Sequence, residues 1–159
     1  MATHFDVIYD RMMVTIRDYK LDNLYELDPT SFSDILESYM IKGLPKFKEC
    51  LKPLDYDLTS KTFASDFDIY EVDIIAEWGV ITWYTAELQD VLEFKEPLGD
   101  SDFKRYSTGQ NLKPRQDYLN GLREKVKQDS VEYNIMHLSE LPFFKEVVLW
   151  LIKSLRYCR

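Results

Sequence analysis

The sequence predicts an all-α fold: a bundle of about four to five helices followed by a C-terminal docking segment. Three observations point there. Apolar residues recur at helical spacing from the start, with Phe5, Ile8, Met12 and Ile16 at i, i+3, i+7 and i+11. The stretch 69–92 is apolar around more than half of a helical circumference, the pattern of a helix buried on nearly all sides. Glycine supplies only 5 of 159 residues, which disfavours the left-handed turns of a hairpin-rich β fold.

The first helix is expected over 4–19, with Thr3 as its N-cap and Asp6 three residues on, in the manner of a capping box. Asn23 and Asp28-Pro29 mark a connection. A second helix starts near Ser31 or Ser33 and presents Phe32, Ile35, Leu36, Tyr39, Met40 and Leu44 on its apolar face. Gly43 and Pro45 interrupt it, because proline lacks an N–H and disfavours an α conformation at Leu44. Residues 46–52 form a short basic turn ending at Pro53.

Residues 53–68 read as a loop lying over the core, anchored by Tyr56, Leu58, Phe63 and Phe67. Asp66 or Asp68 caps the helix over 69–92, and Glu71 stands at the matching N3 position for Asp68. Ile74, Ile75, Trp78, Ile81, Trp83, Tyr84, Leu88 and Leu92 make that helix the centre of the fold. Gly79 within it costs about 1 kcal/mol relative to alanine, and a close helix–helix approach would account for it. Pro97, Gly99 and Asp100 end the unit, and Ser101 caps one or two turns over 101–108.

Another long helix is expected over 112–133, with Leu112, Leu119, Leu122 and Val126 on one face and Pro114 tolerable only in its first turn. Residues 134–142 look extended or linking, and 143–157 close the chain as a markedly apolar helix or strand. The chain therefore divides into a helical core, 1–134, and an apolar docking segment, 135–159.

Composition excludes several classes of function. The length suits one domain with a sizeable core. Aromatic residues make up 14%, so the chain is not a disordered acidic polymer. Cys50 and Cys158 alone form no disulfide framework and read as reduced thiols in a cytoplasmic protein. Asp6, Asp10 and Arg11 speak against a secretory leader, and no apolar run reaches the ~20 residues that span a bilayer.

The net charge is −8, and it is unevenly placed. Residues 1–100 carry 9 basic and 21 acidic side chains, net −12; residues 101–159 carry 11 and 7, net +4. Such asymmetry describes partners rather than fold. The acidic balance argues against general adhesion to nucleic acid.

Catalytic signatures are scarce. The phosphate-binding and dinucleotide glycine patterns, the G-x-S-x-G elbow and the H-E-x-x-H pair are all missing from the sequence. His4 and His137 lie far apart, and nothing local pairs either with Cys50. Asp66, Asp68, Glu71 and Asp73 form an acidic cluster without the central glycine and spaced glutamate of an EF-hand, so helix capping is the better reading. Neither catalytic residues, nor a metal site, nor a cofactor is assigned. Lys46, Lys48 and Lys52 interleave with Phe47 and Leu51, a pattern that touches nucleic acid elsewhere but sits here in an acidic field. Lys104, Arg105, Arg115, Arg123 and Lys127 offer an electropositive edge to an acidic neighbouring subunit, or else a solvated helix face.

The tail carries the most apolar surface. Phe143, Phe144, Val147, Val148, Trp150, Leu151 and Leu155 either pack on their own core, anchor in a partner's groove or lie at a membrane interface. The acidic body disfavours the membrane.

The unit EVDIIAEWGVITWYTAELQ, followed after a short gap by SDFKRYSTGQNLKPRQDYLNGLREKVKQD, resembles head–tail connector (adaptor) proteins of tailed bacteriophages. The resemblance rests on Val80 with Trp83, on Asp102-Phe103 and Tyr106-Ser107, on the Leu112 to Arg123 helix, and on a first helix from Phe5 to Leu21. It covers roughly 5–128; Pro114 and the long apolar tail depart from the pattern. It implies a non-enzymatic virion protein in the neck at the capsid portal vertex, made in the bacterial host cytoplasm. Its subunits would form a ring, typically a dodecamer, that binds the portal protein above and a neck or tail-completion protein below. DNA would pass through without specific binding, and residues 143–155 would dock on the portal. The alternatives are a small helical phage regulatory or inhibitor protein that binds one host partner, and an enzyme of unrecognised type.

Overall fold

The computed structural model describes residues 2–16, 19–93 and 108–138. Among them five α-helices pack together with one very small hairpin: α1 (Phe5–Thr15), α2 (Tyr19–Leu27), α3 (Pro29–Gly43), β1 (Tyr56–Asp57), β2 (Thr62–Phe63), α4 (Ile69–Glu93) and α5 (Thr108–Met136). The predicted all-α character holds.

α1 places Phe5, Ile8 and Met12 on one fully buried stripe, as their spacing requires. Its N-cap is His4, whose Nδ1 accepts from the Asp6 N–H at 3.5 Å. Thr3, the expected cap, is drawn into the core instead: its Oγ1 accepts from the Phe67 N–H at 2.8 Å and its backbone bonds to Ser65 and Phe63. The helix stops at Thr15, short of the expected residue 19. Ile16 is extended yet still buried, so the chain changes direction without losing its apolar anchor.

α2 occupies the stretch expected to be a connection. Leu21 is buried and Leu24 packs against the core. Asp28 then caps α3, three residues before the expected start. Its Oδ1 accepts from the Thr30 and Ser31 N–H groups, each at 3.1 Å, and its Oδ2 from the Ser31 hydroxyl at 2.6 Å. The Ser31 hydroxyl and then the Ser31 N–H hold the Asp28 carboxyl below its ordinary range. Pro29 takes N1, where a missing N–H costs nothing.

α3 ends at Gly43, and a single 3-10 turn (Leu44–Lys46) carries Pro45, the interruption the sequence predicts. A Cβ on Gly43 would lie 2.9 Å from the Gly79 nitrogen and from the Trp78 carbonyl carbon; one on Gly79 would lie 2.9 Å from Met12 Sδ. α3 and α4 thus cross backbone to backbone, the close approach expected at Gly79.

Residues 53–68 lie over the core with Phe63 and Phe67 buried and the half-exposed Tyr56 ring edge-on to Phe5 at 6.3 Å and to Phe63 at 6.2 Å; Leu58 is the anchor that stays outside, 51% exposed. The β1–β2 hairpin pairs Tyr56 with Phe63 and Asp57 with Thr62. Lys61 adopts φ 52°, a left-handed conformation unusual without glycine. Both of its ends are held: its carbonyl accepts from the Phe5 N–H at 3.0 Å, and its ammonium meets Asp34 at 3.2 Å and Glu37 at 3.4 Å.

α4 is the central helix, packed by α1, α3 and α5. α5 lies against it through Leu119, Val126 and Tyr133, all buried at a seven-residue spacing. α5 is longer than expected at both ends, so 134–136 are helical and Pro114 is the seventh residue, not a first-turn one. Proline there removes the bond to the Gln110 carbonyl; Pro114 lies exposed, where water can serve that carbonyl.

Candidate functional site

The acidic cluster resolves into helix capping, with one buried acid at its centre. Asp68 Oδ1 accepts from the Tyr70 and Glu71 N–H groups at 2.9 and 3.0 Å, and Glu71 Oε2 accepts from the Asp68 N–H at 2.9 Å. This is a complete reciprocal capping box. Glu71 is fully buried, and both of its oxygens are engaged beyond the box. Oε2 also accepts from Lys52 Nζ at 2.5 Å, and Oε1 accepts from the Tyr133 hydroxyl at 2.7 Å. The Tyr133 oxygen in turn accepts from the Leu51 N–H at 3.2 Å. One carboxylate therefore ties the start of α4, the 47–53 loop and the end of α5 together.

Burial and the hydrogen bond to Glu71 push the Tyr133 hydroxyl well above the ordinary tyrosine value. Burial works against the Lys52 ammonium, but the Glu71 hydrogen bond and the charges of Glu71 and Asp68 outweigh it and raise its pKa. Burial pushes the Cys50 thiol up to about 11, so it stays protonated near neutral pH and is a poor nucleophile. His137 Nδ1 lies 2.9 Å from the Tyr133 carbonyl, and its Nε2 3.9 Å from Asp68. Asp73 pairs with Arg11 at 3.3 Å. Among the described residues no group of three or more His, Cys, Asp or Glu is placed to hold a metal ion.

The lysines of 46–52 do not form one patch. Lys46 Nζ donates to Thr82 Oγ1 at 3.2 Å and lies over the Trp78 ring at 5.7 Å, while Lys52 is committed to Glu71. Phe47 is buried, edge-on to Tyr133 at 5.5 Å. Lys48 points to solvent.

The electropositive edge is only partly an edge. Arg115 is exposed and makes no ion pair among the described residues. Lys127 is exposed and pairs with Glu124 at 3.2 Å. Arg123 turns inward and donates to Thr85 Oγ1 at 3.2 Å; burial first, then its positive charge, lowers the pKa of Lys46. Lys104 and Arg105 lie outside the described residues, as do Phe143, Phe144, Val147, Val148, Trp150, Leu151 and Leu155.

Two grooves escaped the sequence. One, about 350 Å³, runs between α1, α4 and α5. Its walls carry the Arg11–Asp73 pair and Lys125, which bridges Glu77 and, at 3.6 Å, Asp129. Val14, Tyr70 and Met136 form an exposed apolar rim. The other, about 560 Å³, opens beside α2 with Met13, Tyr25 and Phe32 as its floor and Asp10, Asp22 and Glu26 around it. Asp22 and Glu26 stand at i, i+4, but a helix had to be expected at 19–27 for that spacing to carry meaning.

No family model matches the chain, and neither does any curated protein or solved structure. The fold and its surfaces define a class: a helical bundle in which Asp28, Asp68 and Glu71 cap helices while other acids pair with cations or stay exposed. None of its described helices is long and apolar enough to cross a membrane.

Proposed function

We propose that this protein is a non-enzymatic subunit of a head–tail connector ring, joining a phage portal to the neck and letting DNA pass. The observation that carries the reading is the separation of charge. Residues 1–43, which build α1 to α3, hold eight acidic and four basic side chains; α5 holds five basic and four acidic, with all five basic ones between 113 and 127. α1, α3 and α5 all pack on α4. A ring needs a heterologous interface, two unlike patches on each subunit, and unlike patches are what this arrangement supplies. The net negative charge suits a conduit that must not grip phosphates.

In this reading the chain sits in the virion neck. Its partners are the portal protein, a tail-completion protein and copies of itself, twelve by the resemblance, and residues 143–155 reach the portal. Electron microscopy of the chain with portal tests it: rings seated on portal are expected, and protein that stays monomeric with portal present overturns it. Deleting residues 141–159 should abolish portal attachment while leaving helicity intact; unchanged attachment removes the docking role. A one-to-one complex with a host protein would instead favour a small regulatory or inhibitor protein.

A further inference from the structure

We infer that, in the free chain, residues 143–155 fold back against the end of α5 and cover the exposed apolar stripe of Val131, Ile135 and Leu138. The contact is a property of the chain alone and does not depend on the connector reading.

The exposed surface of α5 changes character near its end. From 113 to 130 its exposed side chains are polar or charged, apart from Pro114 and Tyr118. From 131 to 138 the exposed residues are Val131, Glu132, Ile135, Met136 and Leu138, four of the five apolar. Val131 and Ile135 are 56% and 61% exposed, and Leu138, in the turn that follows the helix, is 37% exposed. Val131 and Ile135 each stand two residues from the buried Tyr133, and so lie across the helix from the face that packs on α4. A helical stretch that is apolar on both sides is built to be buried, and no described element covers this one.

Chain length decides what can reach it. α5 rises about 1.5 Å per residue, which sets Val131 about 35 Å from Thr108. Residues 94–107 join Glu93 to Thr108; a segment of that length fixed at both ends reaches out no more than about 25 Å. Residues 139–159, in contrast, start at the stripe itself. The connection 139–142 is long enough to turn the chain between two antiparallel helices, and Pro142 suits the first turn of the second. Beyond it Phe144, Val148, Leu151 and Leu155 recur at i, i+4, i+7 and i+11. Run antiparallel to α5, Phe144, Val148 and Leu151 span the same seven residues as Leu138, Ile135 and Val131.

The size of the stripe favours this occupant over a separate partner. Three part-exposed side chains offer far less than the roughly 800 Å² that each member of a stable complex buries. A segment tethered next to the stripe needs much less, because its effective concentration is on the order of millimolar.

Hydrogen exchange on the full chain without portal tests the contact. Amides of 143–155 should exchange at least about tenfold more slowly in wild type than in the double variant Val131→Asp, Ile135→Asp. Both positions are exposed, so the bundle should survive; Val131→Ser with Ile135→Ser repeats the test if circular dichroism shows that it does not. Equal exchange in wild type and variant, fast in both or slow in both, overturns the inference. A short thiol cross-linker checks the placement: Ile135→Cys with Val148→Cys, in a Cys158→Ser background, should be joined within one chain, and Gln116→Cys with Val148→Cys should not. The remaining thiol, Cys50, is held protonated and reacts poorly. Joining between chains only assigns the stripe to a second copy and overturns the inference too. A chain that never binds portal removes the connector reading and leaves the α5 contact standing; portal-bound rings together with equal exchange in the free proteins do the reverse.

Discussion

α3 and α5 both lie along α4, yet different physics holds them there. α3 crosses α4 at Gly43 and Gly79, with Leu36 and Met40 fully buried beside the crossing. That contact is backbone against backbone plus apolar area, and neither salt nor pH acts on it directly. α5 meets α4 through a narrow stripe of Leu119, Val126 and Tyr133, supplemented by three polar links: Tyr133 to Glu71, Lys125 to Glu77 and Arg123 to Thr85. Polar links contribute little net stability when made and cost much when half-broken. The α3 contact therefore rests on backbone approach and apolar area, and the α5 contact depends on polar links as well.

The largest effect should come from Glu71. Glu71→Ala leaves the Tyr133 hydroxyl and the Asp68 N–H without their acceptor and the Lys52 ammonium with only the Asp66 carbonyl at 2.8 Å and Asp68 at 4.0 Å. Removing one partner of a buried charged pair costs about 3–5 kcal/mol, toward the lower end here because Lys52 is 38% exposed and can reach water. Urea denaturation should show that loss. Glu71→Gln keeps an acceptor for the capping box and should lose about half as much. A loss under about 1 kcal/mol for Glu71→Ala would mean that α5 does not depend on its polar link.

Gly43→Ala comes next and probes the other side. The added Cβ meets the α4 backbone at Gly79 and Trp78, which has no rotamer to give, so the helices must part at a cost of about 1–3 kcal/mol. Gly79→Ala should cost less. Its Cβ meets the tip of Met12, a flexible side chain, and alanine recovers about 1 kcal/mol of helix propensity. Thermal unfolding of the two variants checks the order. Equal effects would show that the crossing is looser than backbone contact.

How much of this was legible in the sequence follows the same division. α4 was readable almost to its ends because burial on most of its circumference, the Asp68–Glu71 box and Gly79 all say one thing. α2 was not, since Asn23 and Asp28-Pro29 read as a connection and only Leu21 and Leu24 of this helix reach the core among the described side chains. The hairpin carried no Asn-Gly or Asp-Gly signal; Lys61 takes the left-handed conformation because tertiary contacts hold it. Tyr133 was missed although it continues Leu119 and Val126 at the same spacing. The basic edge was legible as charge but not as geometry, because no periodicity distinguishes Arg123, turned onto Thr85, from Arg115, left in solvent.

Tyr133→Phe isolates one α5 link with little change of shape. It removes the donor to Glu71 Oε1 and the acceptor of the Leu51 N–H while keeping the ring against Phe47. A loss of about 1–2 kcal/mol is expected. Combined with Glu71→Gln in a double-mutant cycle, the two losses should be clearly less than additive; full additivity would show that the residues do not act as one staple.

The smallest effect has a sign that distinguishes the two sides most sharply. Glu77 lies under α5 with one carboxylate oxygen buried and without a hydrogen-bond partner, while the other meets Lys125. Burial raises its pKa above the ordinary glutamate value of 4.5, and the opposing pull of Lys125 does not cancel that. An acid whose folded pKa is raised holds its proton longer in the folded state than in the unfolded one. Its contribution is thus fully present below pH 4.5 and is lost as pH rises through the folded value. At neutral pH the Glu77 charge is a net cost, and Glu77→Gln should stabilise the protein slightly, by about 0.5 kcal/mol, although it breaks an ion pair. Asp28, at the start of α3, behaves oppositely: its lowered pKa adds stability that is lost as pH falls below 3.8. Urea midpoints of wild type and Glu77→Gln between about pH 4 and pH 7 should therefore diverge upward with pH. If they run parallel, or if the variant is the less stable at pH 7, Lys125 more than offsets the burial of Glu77, and the attachment of α5 is electrostatically favourable rather than strained.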